Sequence, residues 1–220
     1  MKTQTNNKLV IFDWGGVIES HKAGEYNIDT ALISLFKRFN NALNEEEIMN
    51  IYEQCYKNNN GLYMSEVNGI EEVEKWYLRL KQKIKLNYTF EEFCTVYKEE
   101  TSKIYSYQDV VEFAHSLKKY CNIAILSNLN FLDKDRIDEQ VELNKFDRVF
   151  LSFELECRKP DSRIYEIVEE TCNIDPKNIL FIDDKDTNIE AAKKRGWNTC
   201  MACGYELNKI KEEVNKFLNN

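Results

Sequence analysis

KLVIFDWGGVIE, residues 8–19, sets an unbroken apolar run, Leu9 to Phe12, directly against a carboxylate, Asp13, and follows it with Trp14, Gly15 and Gly16. Four apolar residues without polar alternation read as a strand covered on both faces, the pattern of a parallel sheet. Similar runs recur at Ile123 to Leu126, Val149 to Leu151 and Ile179 to Ile182, with a weaker one at Thr199 to Ala202. Stretches of helical periodicity separate or follow them: Asp109 to Lys119, Leu132 to Glu142, Ser162 to Cys172, Thr187 to Arg195 and Leu207 to Leu218. Strand alternating with helix predicts an α/β fold, a doubly wound, Rossmann-like parallel sheet.

More than a hundred residues separate the first run from the second, and they carry no strand pattern. Four amphipathic helices are predicted there instead, over Ile28 to Phe39, Glu45 to Tyr56, Ile70 to Lys83 and Phe90 to Lys103. In the third, Val73, Trp76, Tyr77 and Leu80 share one face and Glu71, Glu72, Lys75 and Arg79 the other, so an aromatic stripe packs inward. A segment this long is implausible as a loop and reads as an inserted four-helix cap. The expected division is a core of residues 1–16 and 105–220 and a cap of residues 17–104.

Composition narrows the function. The 220 residues are 43% hydrophobic, enough for a full core, and the formal net charge of -8 argues against nucleic acid as a partner. The densest basic cluster, Lys193, Lys194 and Arg195, reads as a solvated helix face. No apolar run approaches the roughly 20 residues of a membrane span, and Met1 to Lys8 lack a signal-peptide apolar core, so the expected compartment is the cytoplasm. Seven scattered cysteines fit reduced thiols in a core. Cys200 and Cys203 form a C-x-x-C pair, but with no second pair or nearby histidine they read as small residues on the last strand.

Ligands of an open parallel sheet bind outside the carboxyl ends of its strands. Asp13 follows the first run, Ser127 and Asn128 the second, and Asp183 and Asp184 the fourth; after the third, SFELECRKPDSRIYE holds Lys159 ahead of Pro160. Three carboxylates in one crevice need positive charge, since unit charges about 4 Å apart repel by roughly 4 kcal/mol at an effective dielectric near 20. Lys159 alone does not suffice. A hard divalent cation held by carboxylates, a backbone carbonyl, water and a substrate phosphate is the usual answer, and magnesium suits those ligands. The crevice then reads as a phosphate site in which Asp13 attacks phosphorus and gives an aspartyl-phosphate. Nucleotide-type alternatives are weak, because neither G-x-G-x-x-G nor G-x-x-x-x-G-K-[ST] occurs.

VIFDWGGVI, AILSN, RKPDSRIYE and ILFIDDKDTNIEAAKKRGW, in that order, resemble the four motifs of the haloacid dehalogenase-like hydrolase superfamily. The insert after the first motif is similar to that superfamily's α-helical cap, and the D-x-G-G-V opening with LSN and DDKDTN is similar to sugar-phosphate phosphatases of the α-glucose-1-phosphate phosphatase type. The resemblance implies Asp13 as nucleophile and Ser127, Asn128 and Lys159 as phosphate binders. It also implies Asp13, Asp184 and the Gly15 carbonyl as magnesium ligands, with Asp183 and Asn188 beside them, and a small phosphorylated metabolite as substrate.

Two departures follow. Such phosphatases carry a second aspartate two places after the nucleophile as general acid, a role worth about 10²–10⁴ in rate; here that place is Gly15. Esters that leave easily, a substitute proton donor such as His21 or Glu19, or a weakly active phosphate-binding protein are the three readings this leaves open. Asn188 stands where many relatives carry an aspartate. A 2-haloacid dehalogenase is the enzymatic rival, but an acid pair such as Asp183 and Asp184 has no use beside an anionic haloacid without a cation. In the cap, SEVNGIEE, residues 65–72, resembles the turn facing the crevice, with Glu66 and Asn68 as candidate readers of sugar hydroxyls. The sequence sets no oligomeric state.

Overall fold

The computed structural model describes residues 7–220; Met1 to Asn6, part of the expected core segment, lie outside the described residues. Five strands, β1 (Leu9–Phe12), β2 (Asn122–Ser127), β3 (Arg148–Leu151), β4 (Ile179–Asp183) and β5 (Asn198–Met201), form one sheet in the order β3-β2-β1-β4-β5. All pairings are parallel. The fold is the α/β doubly wound sheet with a helical insert.

Alternation explains the continuous apolar runs. Val10 and Phe12 of β1 pack on one face with residues of α5 (Gln108–Ser116) and α10 (Leu207–Asn219), while Leu9 and Ile11 pack on the other with α8 (Ser162–Cys172) and α9 (Asp186–Lys194). Both faces are dry, so neither parity of β1 can be polar; each such side chain buried contributes about 1.5–3 kcal/mol. Register carries this to the site. Phe12 pairs with Ile125 and with Ile182, so Asp13, the end of β2 and the end of β4 reach one level of the carboxyl edge.

The insert folds as α1 (Ile28–Phe39), α2 (Glu45–Tyr56), α3 (Ile70–Ile84) and α4 (Phe90–Thr101) around Trp76, whose ring meets Phe93 edge-on at 5.3 Å. Local signals set the ends. Asn44 with Glu47 and Thr89 with Glu92 form reciprocal capping boxes at α2 and α4. The chain crosses between cap and core twice, and the crossings bond each other: Ser20 N–H donates to Tyr105 O at 2.8 Å and Tyr107 N–H to Ile18 O at 2.8 Å.

Two elements depart from expectation. The helix expected from Leu132 starts two residues later, as α6 (Lys134–Val141), because the Asn130 side chain accepts from Leu132 N–H and holds residues 131–133 as a tighter turn. A short helix, α7 (Ser152–Leu155), follows β3 directly. Cys200 is buried in the sheet core, and all seven cysteines are free thiols. No described helix is long and apolar enough to cross a membrane.

Candidate active site

Asp13 leaves β1 with its backbone N–H still bonded to Ile182 O at 2.9 Å, so the sheet fixes its Cα. Its Oδ1 accepts from the Trp14 N–H at 2.6 Å and meets Lys159 Nζ at 2.8 Å. No described donor bonds Oδ2. Both donors therefore fall on one oxygen.

Lys159 is buried, and its ammonium lies between two carboxylates, with Asp183 Oδ2 at 2.7 Å. Asn128 grips the lysine backbone from both sides: its Oδ1 accepts from Lys159 N–H and its Nδ2 donates to Lys159 O, each at 2.9 Å. Asn128 thus lines the crevice while positioning the lysine. Asp183 is saturated, since its oxygens also accept from Asn188 Nδ2 at 3.0 and 3.1 Å and from Lys185 N–H at 2.8 Å. Asn188 therefore secures Asp183.

Asp184 differs in one respect: its Oδ1 is buried with no partner. Gly16 has φ +83, and a Cβ there would stand 2.3 Å from Asp184 Oδ2, so only glycine lets this carboxylate approach. Ligand atoms of Asp13, Asp183 and Asp184 all lie within 4.8 Å of one another. With Asp183 committed, Asp13 and Asp184 are the carboxylates able to take a cation, and the orphaned Asp184 oxygen fits a hard divalent ion.

Electrostatics follow the burial. Burial first, then the charge of Asp183, raise the Asp13 carboxyl to about 7 against the pull of Lys159. Burial would also raise Asp183, but Lys159 beside it lowers it overall. A cation next to Asp13 would lower its pKa and favour the ionised carboxylate.

Ser127, at the end of β2, is buried and lines the same crevice, a cavity of ≈ 200 Å³ that Gly15, His21 and Lys159 also line. The His21 ring folds back so far that a Cβ on Gly15 would meet its Cε1 at 2.8 Å and Nε2 at 2.9 Å. Its Nδ1 is 3.7 Å from Asp184 Oδ2. Glu19, the other candidate proton donor, is committed as an acceptor: its Oε2 takes the Trp14 indole N–H at 3.0 Å and pairs with Arg136 Nη1.

The cap contributes Tyr52, Tyr56, Ser65 and Tyr97 to the wall. From the SEVNGIEE turn it is Ser65 that arrives; Glu66 Oε2 instead accepts from Tyr63 N–H at 2.7 Å. Sequence reasoning missed Asp133 and Arg136, which also line the cavity. Their only signal was two opposite charges three apart in FLDKDRID, ordinary for a surface helix.

Residues 7–196 match the family model of the haloacid dehalogenase-like hydrolases. The chain belongs to that family. Among curated relatives, a D-ribitol-5-phosphate phosphatase of Bacteroides thetaiotaomicron is 27% identical over 96 residues, 40% of this chain and 47% of that protein. An (S)-2-haloacid dehalogenase 4A of Burkholderia cepacia is 30% identical over 121 residues, 50% of this chain and 51% of that protein. The chain spans about half the length of the curated relatives it matches. A magnesium complex of a haloacid dehalogenase family enzyme from Bacteroides thetaiotaomicron superposes with TM-score 0.69 at 19% identity, covering 91% of this chain and 95% of that one. L-2-haloacid dehalogenase of Xanthobacter autotrophicus reaches 0.60 at 19% identity, covering 87% of this chain and 76% of that one. These superpositions establish the haloacid dehalogenase-like fold over core and insert together.

Proposed function

We propose that the protein is a magnesium-dependent phosphomonoester hydrolase acting on a small phosphorylated metabolite through an aspartyl-phosphate. The observation that carries this reading is the acid cluster: Asp13 stands beside Asp183 and Asp184, and Asp184 keeps one buried oxygen without a partner. Such a cluster suits a cation and a phosphate, whereas a dehalogenase has no need of it. The relative named as a D-ribitol-5-phosphate phosphatase agrees with this choice.

Asp13 and Asp184, with the Gly15 carbonyl, would hold the ion, which when bound neutralises phosphate charge and favours ionised Asp13. In the first step Asp13 Oδ2 forms a bond to phosphorus as the ester P–O bond breaks, and the leaving oxygen departs with its electron pair. Lys159 and Ser127 hold phosphate oxygens, and Asn128 and Asp183 fix the lysine. Water then attacks phosphorus, the Asp13–phosphorus bond breaks, and inorganic phosphate leaves with the carboxylate restored. The His21 ring fills the space beside Gly15 and presents a ring N–H for the leaving oxygen.

Phosphate release from p-nitrophenyl phosphate and a sugar-phosphate panel tests this. Release should require magnesium and fall on the order of 10³-fold or more in Asp13→Asn. No phosphate from any ester, or magnesium-independent halide release from 2-chloropropionate, sinks the reading.

A further inference from the structure

The wall of the same cavity holds a buried charge cluster that the phosphate chemistry does not use. Arg136, Glu19 and Asp133 are 7%, 3% and 4% exposed. Arg136 spends Nη1 on Glu19 and Nη2 on Asp133 Oδ1, the latter at 3.2 Å. The cluster spans the molecule's two parts: Glu19 comes from the crossing after β1, Asp133 and Arg136 from the core, and Tyr97 of α4 donates its hydroxyl to Asp133 Oδ1 at 3.0 Å. Docking of the cap is therefore needed to complete it.

Its hydrogen bonding is unfinished in a consistent way. Arg136 Nε and the Ser65 hydroxyl, one from the core and one from the cap, are buried in the cavity wall without partners. Glu19 Oε1 and Asp133 Oδ2 accept from no described residue. Buried polar groups are almost always satisfied, so unsatisfied ones in a cavity wall point to a ligand that completes them. Two free carboxylate oxygens, one N–H and one hydroxyl match groups that both donate and accept. Alcohols do this, and a carboxylate or second phosphate does not, because it would face Glu19 and Asp133 with the guanidinium already shared between them.

We propose that this polar wall of the cavity selects an uncharged, polyhydroxylated leaving group, with Asp133, Ser65 and Arg136 as its specificity-determining residues; the proposal rests on the phosphatase reading. Arg136 also holds both carboxylates in place. Arg158, half-buried with its guanidinium 4.2 Å over the Tyr63 ring, is a cation of the cavity wall that an anionic substituent would seek instead, as is Lys185.

The test compares kcat/KM for a pentitol phosphate, an alkyl phosphate of equal chain length, 3-phosphoglycerate and p-nitrophenyl phosphate, using the full chain with magnesium. The pentitol ester should exceed the alkyl ester by about 10- to 100-fold, since a site built to bond hydroxyls rejects an analogue lacking them. In Ser65→Ala and Asp133→Asn the ratio of pentitol to p-nitrophenyl kcat/KM should fall about 10-fold, a ratio that partial misfolding leaves unchanged. An alkyl ester equal to the pentitol ester, 3-phosphoglycerate as the best substrate, or an unmoved ratio in both variants overturns the inference while the phosphatase reading stands. No turnover of p-nitrophenyl phosphate overturns the phosphatase reading itself.

Discussion

His21 stands beside Gly15, the position at which the family resemblance implies an acid. Its ring occupies the side-chain space that Gly15 leaves, so a side chain at residue 15 and the histidine in this position exclude each other. Burial lowers the imidazole's proton affinity, but the Asp184 carboxylate beside it outweighs this and the net direction is upward. Under the proposed mechanism, a ring N–H donated to the leaving oxygen matters most when that oxygen is a poor leaving group. His21→Ala should therefore cost about 10²–10³ on alkyl phosphates, the usual loss for one transition-state donor, and far less on p-nitrophenyl phosphate. Rates across a series of esters of graded leaving-group acidity check this, and a uniform loss removes His21 from the role. The sequence displayed Asp13, Ser127, Lys159 and the Asp183–Asp184 pair, because each follows an apolar run and the sheet edge collects them. It did not display the saturation of Asp183 or the fold-back of His21, which depend on how the chain turns at Gly16 and after β4.

Helix-level features show where local sequence suffices and where it does not. The cap helices were legible because apolar periodicity and capping residues agree, as at Asn44 and Glu47. The turn at residues 131–133 was not, because a single side-chain bond from Asn130 outweighs helical periodicity there. The join of α1 to α4 was invisible too, since it depends on partners far apart in sequence. Glu100 of α4 is buried, and its carboxylate accepts from Tyr26 at 2.6 Å, Lys103 at 2.8 Å and Arg38 at 3.0 Å. Burial pushes its pKa up, but Lys103, Tyr26 and Arg38 together pull it from 4.5 to about 2. A carboxyl lowered in the folded state stabilises above its unfolded value, and the stabilisation disappears as pH falls from 4.5 towards 2. Glu100→Gln should lose about 1–3 kcal/mol at pH 7, the scale of a charged hydrogen bond, and the difference from wild type should shrink on acidification. Denaturant unfolding at pH 7, 4 and 3 measures it; a difference unchanged by pH means the ion network contributes nothing to the join.

At the scale of the whole molecule, the cap is tied to the core by the loop that follows β2. Ser127 ends β2, and five residues later Leu132 is 5% exposed within the cap's hydrophobic cluster, beside residues that include Trp76 and Tyr97. Asp133 then takes the Tyr97 hydroxyl, and Lys98 of α4 pairs with Asp135 at 3.0 Å. Strand order and this docking were beyond the sequence for one reason: both join residues separated by tens of positions, and no local pattern encodes which surfaces meet. Leu132→Ala removes an apolar anchor without touching any catalytic group. Truncating a buried leucine costs about 2–5 kcal/mol, and here the loss falls on the contact between cap and loop. Amide exchange in α3 and α4 should accelerate while β1, β2 and β4 stay protected, because the sheet's own packing is untouched. The polar cluster at Asp133 should loosen in step, so turnover of large leaving groups should fall more than that of p-nitrophenyl phosphate. Exchange that rises equally in sheet and cap would mean that Leu132 stabilises one cooperative unit, and that cap and core do not separate at this joint.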